Sequence, residues 1–211
     1  MTEALDDRVL LEAWRGGDRE RGNELFRRHI RSVSRFFRSK IPEAAEDLTQ
    51  STFLAIAQVD PARLGDAPFR AYLFGVARNQ LLMHLRAKVR ADKRFDPLTW
   101  SAPDAGASPV KIVARQQQQA LLASALQSVP VDYQIALELF YFEAMPIAEM
   151  AAVLERPVGT IKSLLSRGRD LLRERIEAMA GSEELLASVV GELDKWLGTL
   201  PAAMSSDDTD T

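Results

Sequence analysis

The sequence predicts an all-α fold: two small helical domains joined by a flexible linker, the second a helix-turn-helix, followed by a C-terminal amphipathic helix. Three observations predict it. Apolar residues recur at spacings of three and four through most of the 211 residues, as helices packed on one face require. Residues 96–110 hold three prolines among small polar residues, which disfavours a regular element. Near residue 155, a tight turn separates a short helical pattern from a longer, basic one.

These observations divide the chain into four parts. The predicted boundaries are 1–95 for the first domain, 96–110 for the linker, 111–180 for the second domain and 181–211 for an acidic extension with one amphipathic helix and a disordered end. Fully extended, the linker spans at most about 50 Å. We therefore expect two separately folded helical units.

The first domain opens with two predicted helices. Apolar residues over 9–14 indicate an amphipathic helix that ends at Gly16 and Gly17. Asp18 is a suitable N-cap for the next helix, whose apolar residues over 25–37 are separated by arginines. Both segments show the one-sided pattern of helices that pack together.

Two further helices complete the first domain. Ile41-Pro42 ends the second helix, and the helical pattern resumes over 45–58. Turn residues fill 60–68, which predicts a loop. A long helix then runs from Phe69 to about Arg94, apolar at first and strongly basic at its end.

The second domain begins with a helical pattern over 111–127. Asp132 is the expected cap of a helix through Phe142. The short pattern over 147–154 and the pattern from Val158 onward form the predicted helix-turn-helix. If Val158 and the apolar residues that follow it are buried, the opposite face presents only hydroxyls and cations, namely Thr160, Lys162, Ser163, Ser166, Arg167 and Arg169. Such a face suits a DNA major groove; the alternative is an ordinary solvated helix of a bundle.

The net charge of −3 is unevenly distributed along the chain, so it does not by itself argue against a nucleic-acid partner. Residues 1–180 carry 26 Lys and Arg against 23 Asp and Glu, a charge of +3. Residues 181–211 carry one against seven, a charge of −6. The acidity belongs to the extension, and the rest of the chain is compatible with DNA.

Several function classes are excluded by composition and motifs. The chain has no cysteine, which rules out a disulfide scaffold, and its two histidines lack any metal-ligand spacing, so we expect no metal. No acid–base pair, nucleophile or phosphate loop is present, so we expect neither an enzyme nor a cofactor. The acidic start is unlike a secretory signal, and no apolar run is long enough to cross a membrane. We expect a soluble cytoplasmic protein with no membrane contact.

Three segments together carry a family resemblance. The segment from Pro157 to Ser163, preceded by Ile147 to Ala151, resembles the DNA-binding fourth conserved region of bacterial sigma factors of the small extracytoplasmic-function class. Residues 46–53 resemble the segment with which these factors bind core RNA polymerase, and 69–79 resembles the segment that opens the promoter. The resemblance covers roughly residues 5–178 in the family's order. It implies a sigma factor that gives core polymerase its promoter choice.

The resemblance also implies residue roles. The clamp coiled coil and the flap of core polymerase are the implied protein partners. The implied core-binding residues are Asp47, Gln50, Ser51 and Phe53. Residues that hold the melted minus-ten strand are Phe69, Tyr72, Asn79, Gln80 and Arg86. The minus-thirty-five element of promoter DNA is read by the predicted recognition-helix face, from Thr160 to Arg169.

Simpler alternatives remain open at this point. Phe69 and Tyr72 are also plausible core aromatics, and the basic residues over 86–94 also suit a solvated helix end. For the whole protein, the alternative is a free-standing helix-turn-helix regulator with an N-terminal effector domain. Residues 45–80 favour a sigma factor over a free-standing regulator, because a core-binding helix followed by an aromatic-asparagine segment has no role in an ordinary repressor.

The sequence departs from the family pattern at three positions. Ser51 stands where a carboxylate is usual, which removes one expected polar contact with polymerase. Pro146 replaces a capping Ser or Thr, so Glu149 lacks a reciprocal hydroxyl partner, although proline tolerates the first turn. Gly168 replaces a typical alanine, at a cost of about 1 kcal/mol in helix propensity.

The extension forms a further predicted helix. Gly181 ends the recognition helix, and Ser182 is suited to cap the next. Its apolar stripe requires a partner surface. The stripe residues are Leu186, Val189, Val190, Leu193, Trp196 and Leu197. The helix either packs on the second domain or regulates the protein, for example by binding an anti-sigma factor or another regulator.

Overall fold

The computed structural model describes residues 5–58, 68–88, 97–98, 114–187, 189 and 191. Within these residues all regular structure is helical, which confirms the all-α prediction. Four helices form an N-terminal bundle: α1 (Asp7–Arg15), α2 (Arg19–Arg38), α3 (Ala45–Gln58) and α4 (Phe69–Lys88). Four more form a C-terminal bundle: α5 (Ala114–Ser128), α6 (Val131–Tyr141), α7 (Ile147–Leu154) and α8 (Val158–Met179).

The starts of α1 and α2 are fixed by aspartate caps. The Asp6 carboxylate accepts a hydrogen bond from the Arg8 backbone at 2.7 Å. The Asp18 carboxylate accepts from the backbone N–H groups of Glu20 and Arg21 at 3.0 and 3.1 Å, which confirms the predicted cap. Between the two helices, Gly17 adopts a φ of 97°, a conformation that glycine enters without strain.

A 3-10 turn (Pro42–Ala44) separates α2 from α3, as the proline predicted. The bundle closes around fully buried side chains from each helix, including Leu10, Leu25, Ile56 and Phe74. Phe36 packs edge-on against Phe74 with ring centroids 5.7 Å apart. The predicted loop over 60–68 and the basic end of the long helix, 89–94, lie outside the described residues, apart from Pro68.

The predicted cap at Asp132 is wrong. Helix α6 begins one residue earlier, at Val131, after Pro130 with an extended ψ of 145°. Asp132 lies in the first turn and is buried, with its carboxylate 3.8 Å from the Arg156 guanidinium. Its backbone N–H donates to the carbonyl of Pro97 at 3.1 Å. The reason is that proline fixes the entry conformation itself, so the carboxylate turns inward to arginine.

The helix-turn-helix prediction is confirmed in α7 and α8. The turn is made by Glu155, which adopts the left-handed conformation at φ 53° and donates its backbone N–H to the carbonyl of Ala152. Pro157 then precedes α8, and its carbonyl accepts from the backbone of Thr160 at 2.8 Å. Val158 was expected in the buried stripe, but it is exposed, and Leu164 is buried instead.

The start of the extension packs onto the protein. The Ser182 hydroxyl accepts from the backbone N–H of Leu185 at 3.2 Å, and residues 183–187 are helical, which confirms the predicted cap. Leu186 is partly buried, and Val189 is buried in the core. The other stripe residues lie outside the described side chains.

The two bundles also contact each other. Helix α4 of the N-terminal bundle packs against α7 of the C-terminal bundle. The Gln134 amide on α6 donates to the Ser39 carbonyl at the end of α2 at 3.1 Å. The sequence predicted two domains but not this contact between them. The linker over 96–110 lies outside the described residues except at 97–98.

Candidate functional site

The first candidate surface is the outer face of α8. Its inner face is held by Ile161, Leu165 and Leu172, all essentially buried. Because helix residues three or four apart share a face, the remaining positions point outward. The exposed residues of this face are Lys162, Ser163, Ser166 and Arg167, and Thr160 is partly exposed. The face presents hydroxyls and cations and no large apolar side chain from Thr160 to Arg167.

Arg169 is at the edge of this face. Its guanidinium hydrogen-bonds the hydroxyl of Tyr141 on α6. Burial raises the pKa of the Tyr141 hydroxyl, and the nearby arginine opposes that shift. Arg169 therefore ties α8 to α6, whereas Arg167 is exposed on α8.

The close packing of α6 on α8 occurs at Gly168. A Cβ atom there would lie 3.4 Å from side-chain atoms of both Leu137 and Tyr133. That distance is ordinary van der Waals contact, so alanine would fit. The packing therefore does not require glycine at position 168, and alanine there would avoid the loss of helix propensity predicted from the sequence.

The second candidate surface is a stripe along α4. Tyr72, Asn79 and Arg86 recur at seven-residue intervals and so lie on one side of the helix. Asn79 and Arg86 are exposed, Tyr72 is partly exposed, and Gln80 lies partly exposed beside them. Met83, which is 63% exposed, lies on the same stripe and was not predicted. Its spacing of four from Asn79 was the available signal.

Phe69 does not belong to this stripe in the structure. It is only 3% exposed, and its ring centroid lies 5.5 Å from that of His29 on α2. Phe69 is therefore a core aromatic, which is the alternative that the sequence left open. The physical reason is that α4 has buried residues around much of its circumference, so periodicity does not separate its inner and outer aromatics.

The third candidate surface is a groove of about 630 Å³ between α1, α2 and α3. Gln50 and Phe53, both predicted for core binding, line it. Phe53 is 4% exposed and packs on Phe26 with ring centroids 4.7 Å apart, so it forms the floor. Asp47 is exposed one turn before Gln50 on α3, and Ser51 is partly exposed beside it.

Several groove residues were not predicted. Leu54 is 55% exposed and Phe26 is 38% exposed, so both add apolar surface to the groove. Arg38 and Glu46 border the groove with opposite charges. Leu54 lies four residues after Gln50, on the same side of α3, and this spacing could have identified it.

Within the described ranges, no group of three or more His, Cys, Asp or Glu could hold a metal ion. No helix among those that the structure describes is long and apolar enough to cross a bilayer.

Comparison with protein families gives two matches. Residues 25–91 match the family model described as Sigma-70 region 2, which covers most of the N-terminal bundle. Residues 119–172 match the model described as Sigma-70, region 4, which covers the helix-turn-helix. Together the two matches span more than half of the chain, in the order in which the family carries them.

Whole-length relatives agree with both matches. The ECF RNA polymerase sigma-E factors of Escherichia coli strain K12 and Salmonella typhimurium strain LT2 are each 24% identical over 188 residues, covering 85% of this chain and 98% of theirs. That of Haemophilus influenzae is 24% identical over 192 residues, covering 85% of this chain and all of its own.

A solved structure is also similar. It is described as the structure of CnrH in complex with the cytosolic domain of CnrY, and its matched chain is 25% identical with a TM-score of 0.58. The match covers 82% of this chain and 99% of that chain. The chain is therefore a member of the sigma-70 family of RNA polymerase sigma factors, in its extracytoplasmic-function (ECF) class.

Proposed function

We propose that this chain binds core RNA polymerase and directs promoter-specific transcription initiation. The α8 face reads the minus-thirty-five element as duplex, and the α4 stripe holds the melted minus-ten strand. The observation that carries the proposal is that two separate polar faces are exposed, one on each of the bundles that match regions 2 and 4. In this proposal the two domains are residues 1–95 and 111–180, with the linker between them.

The chemistry of the α8 face fits a major groove. Lys162 and Arg167 donate to guanine edges or phosphates, and the hydroxyls of Ser163 and Ser166 reach either bases or backbone. In the free protein the Ser163 hydroxyl donates to the Gly159 carbonyl at 3.2 Å, so binding DNA through it exchanges one hydrogen bond for another. Arg169 supports the face through Tyr141.

The α4 stripe fits an unpaired strand. The Tyr72 ring offers a stacking surface for an extruded base, the Asn79 amide reads a base edge, and Arg86 contacts phosphate. Phe69 acts through the fold, because its ring is buried against α2. Strand opening then needs no catalytic residue, since binding of the melted strand shifts the equilibrium between closed and open duplex.

The groove fits a protein partner. An apolar floor with the exposed side chains of Phe26 and Leu54 suits an amphipathic helical surface, and we assign it to the clamp coiled coil of core polymerase. Asp47, Gln50 and Ser51 supply the polar rim. The polymerase flap is assigned to the C-terminal bundle. The protein acts in the cytoplasm, as a non-enzymatic subunit.

The extension is assigned a regulatory role in addition to packing. Val189 is buried, so the first part of the extension stabilises the fold. The remaining residues carry most of the −6 charge and the rest of the apolar stripe, which suits contact with a regulator such as an anti-sigma factor. Deleting residues 192–211 keeps Val189. We expect it to leave the melting temperature unchanged and to alter promoter-dependent transcription; unchanged activity would remove the regulatory role.

The function is tested by transcription in vitro with purified core polymerase on promoters selected from a random DNA library. We expect wild-type protein to support specific initiation. Arg167→Ala and Asn79→Ala should each reduce it about 5-fold to 150-fold, since one specific base contact contributes about 1–3 kcal/mol.

Matched controls keep the result specific. Arg175→Ala changes an exposed arginine two turns further along α8, and Asn23→Ala changes an exposed asparagine on α2. Both should retain wild-type initiation. If the wild type binds DNA specifically but never supports initiation with core polymerase, the protein is a free-standing helix-turn-helix regulator and the proposal fails.

A further inference from the structure

Helix α2 has an outward face lined by arginines. Residues 25–42 hold six Lys and Arg and no Asp or Glu. Arg27, Arg31, Arg35 and Arg38 recur at spacings of four, four and three, so they lie on one side of the helix. All four are exposed. We name this row the α2 arginine stripe.

The stripe is turned away from the core. The opposite side of α2 is buried at Leu25 and Phe36. On the outward side, Ile30, Ser34, Ser39 and three of the four arginines line a surface depression of about 680 Å³. The outward face is therefore mostly polar and cationic.

The stripe differs from the first turns of α2 in its ion pairing. Nearer the N-terminus, Arg21 and Arg28 are both paired with Glu24, at 3.0 and 2.6 Å. Among the residues that the structure describes, three members of the stripe have no ion-pair partner: Arg27, Arg31 and Arg38. The positive charge of the stripe is thus not neutralised by the fold.

Arg35 is the one member of the stripe that is paired. Its guanidinium contacts the Glu143 carboxylate and lies 5.5 Å from the centroid of the Phe142 ring. The Arg35 side chain is still 51% exposed, but its charge is already matched. The other three arginines are the cations that remain available to a ligand.

The length and charge of the stripe fit the backbone of duplex DNA. From Arg27 to Arg38 the helix advances about 17 Å, at about 1.5 Å per residue. Duplex of that length carries about ten phosphates, because it holds one negative charge per about 1.7 Å of axis. The guanidinium group is planar and donates to phosphate in a bidentate way. A basic row along one helix face is the electrostatic pattern of nucleic-acid binding.

Two other ligands fit the stripe less well. A protein interface has an apolar centre from which charged residues are depleted, whereas the centre of this face is made of guanidinium and hydroxyl groups. A surface for unpaired strands supplies exposed aromatic rings on which bases stack. The phenylalanines between Arg27 and Arg38 are Phe36 and Phe37, and both are buried.

We propose that the α2 arginine stripe binds the phosphate backbone of duplex DNA without regard to sequence. Arg27 and Arg31 donate to phosphate oxygens, and Arg38 extends the contact towards the end of α2. The stripe carries no side chain that distinguishes one base pair from another, in contrast to the faces of α8 and α4. The inference goes beyond the proposed function and does not depend on it, since the contact holds the chain on any duplex.

The salt dependence of DNA binding tests the stripe. The ligand is a fluorescently labelled duplex of about 20 base pairs with a scrambled sequence, and binding is measured by anisotropy from about 50 to about 200 mM salt. Arg27→Gln combined with Arg31→Gln removes two phosphate contacts and leaves Arg38, which borders the groove between α1, α2 and α3, in place. Glutamine is a good helix former, so the double variant should fold.

Each phosphate contact adds about 0.9 to the slope of log affinity against log salt, so the double variant should lose about 1.8 of that slope. Over a fourfold rise in salt, wild-type binding should therefore weaken about 12-fold more than binding by the double variant. Arg19→Gln combined with Arg175→Gln removes the same charge at exposed positions outside the stripe and should keep the wild-type slope.

The inference is overturned if the wild type does not bind the scrambled duplex at low salt, or if the two double variants lose the same slope. Tighter binding of a single strand than of the duplex would also overturn it. Loss of affinity for core polymerase in Arg27→Gln with Arg31→Gln, with an unchanged DNA slope, would show a protein-binding surface instead. The proposed function is judged separately, by promoter-specific transcription with the wild type.

Discussion

The two bundles begin their helices in different ways. In the N-terminal bundle, Asp6 and Asp18 cap α1 and α2 with carboxylates that accept backbone hydrogen bonds. In the C-terminal bundle, α6, α7 and α8 each follow a proline, with φ between −56° and −58° and no side-chain cap. Proline fixes the entry geometry without adding charge. Helix α8, which we propose faces DNA, thus starts without a negative capping group, whereas α1 and α2 start with carboxylates.

The same substitution in each bundle gives the largest expected contrast. At Gly22 of α2, a Cβ atom would lie 2.3 Å from the Trp14 ring, so Gly22→Ala forces the crossing of α1 and α2 apart. We expect it to lower the free energy of unfolding by about 1–3 kcal/mol. Gly168→Ala, with ordinary contacts at 3.4 Å, should raise it by up to about 1 kcal/mol.

Urea denaturation of both variants checks this contrast. Two effects of the same sign would contradict it, because they would mean that the crossings at α1–α2 and α6–α8 tolerate a methyl group equally. Trp14 fluorescence offers a local readout, since Trp14 also lines the groove between α1, α2 and α3.

The caps provide the next effect in size. Asp18→Ala removes two backbone hydrogen bonds and should lower the free energy of unfolding by about 1 kcal/mol. Pro146→Ser introduces the capping hydroxyl missing from α7 but gives up the fixed proline geometry, so its effect should stay within about 0.5 kcal/mol. Thermal melts at pH 7 measure both, and a large loss in Pro146→Ser would show that the ring itself holds α7.

Several helix boundaries could be predicted because the residues that set them lie next to those boundaries in the sequence. Asp18, Gly16 and Ile41-Pro42 act within a few residues of their own position, so α2 and α3 begin and end where the sequence indicated. The cap predicted at Asp132 was wrong because its carboxylate faces Arg156, which lies in the turn between α7 and α8. The ion pair between Lys40 on the N-terminal bundle and Glu138 on α6 could not be predicted either, since such a pairing leaves no periodic pattern in the sequence. The places of Met83 and Leu54 in their surfaces could be predicted from their spacing along the helix. The burial of Phe69 could not, because it depends on where α2 packs.

Acid should weaken the contact between α1 and α2. Asp7 joins α1 to α2 through His29 at 2.7 Å and Arg28 at 3.0 Å. Burial alone would raise the pKa of Asp7, but the two partners lower it overall from 3.8. Its contribution to stability is therefore present above pH 3.8 and is lost as pH falls through the lower folded-state value.

Asp7→Asn tests this contribution. At pH 7 we expect a loss of at most about 1 kcal/mol, or about 2–4 °C in melting temperature. The difference from the wild type should shrink below pH 3.8 and vanish below the lower folded-state pKa of Asp7, where the wild-type carboxylate is also neutral. A difference that stays constant down to pH 2 would show that the carboxylate charge has no part in joining α1 to α2.

We propose that the two bundles read two different promoter elements. It is tested most directly by transcription with core polymerase from a promoter library in which the upstream and downstream elements vary independently, followed by sequencing of the transcribed templates. We expect Arg167→Ala to relax the base preference only in the minus-thirty-five element and Asn79→Ala only in the minus-ten element. Loss of preference in the same element for both variants, or in neither, would contradict it.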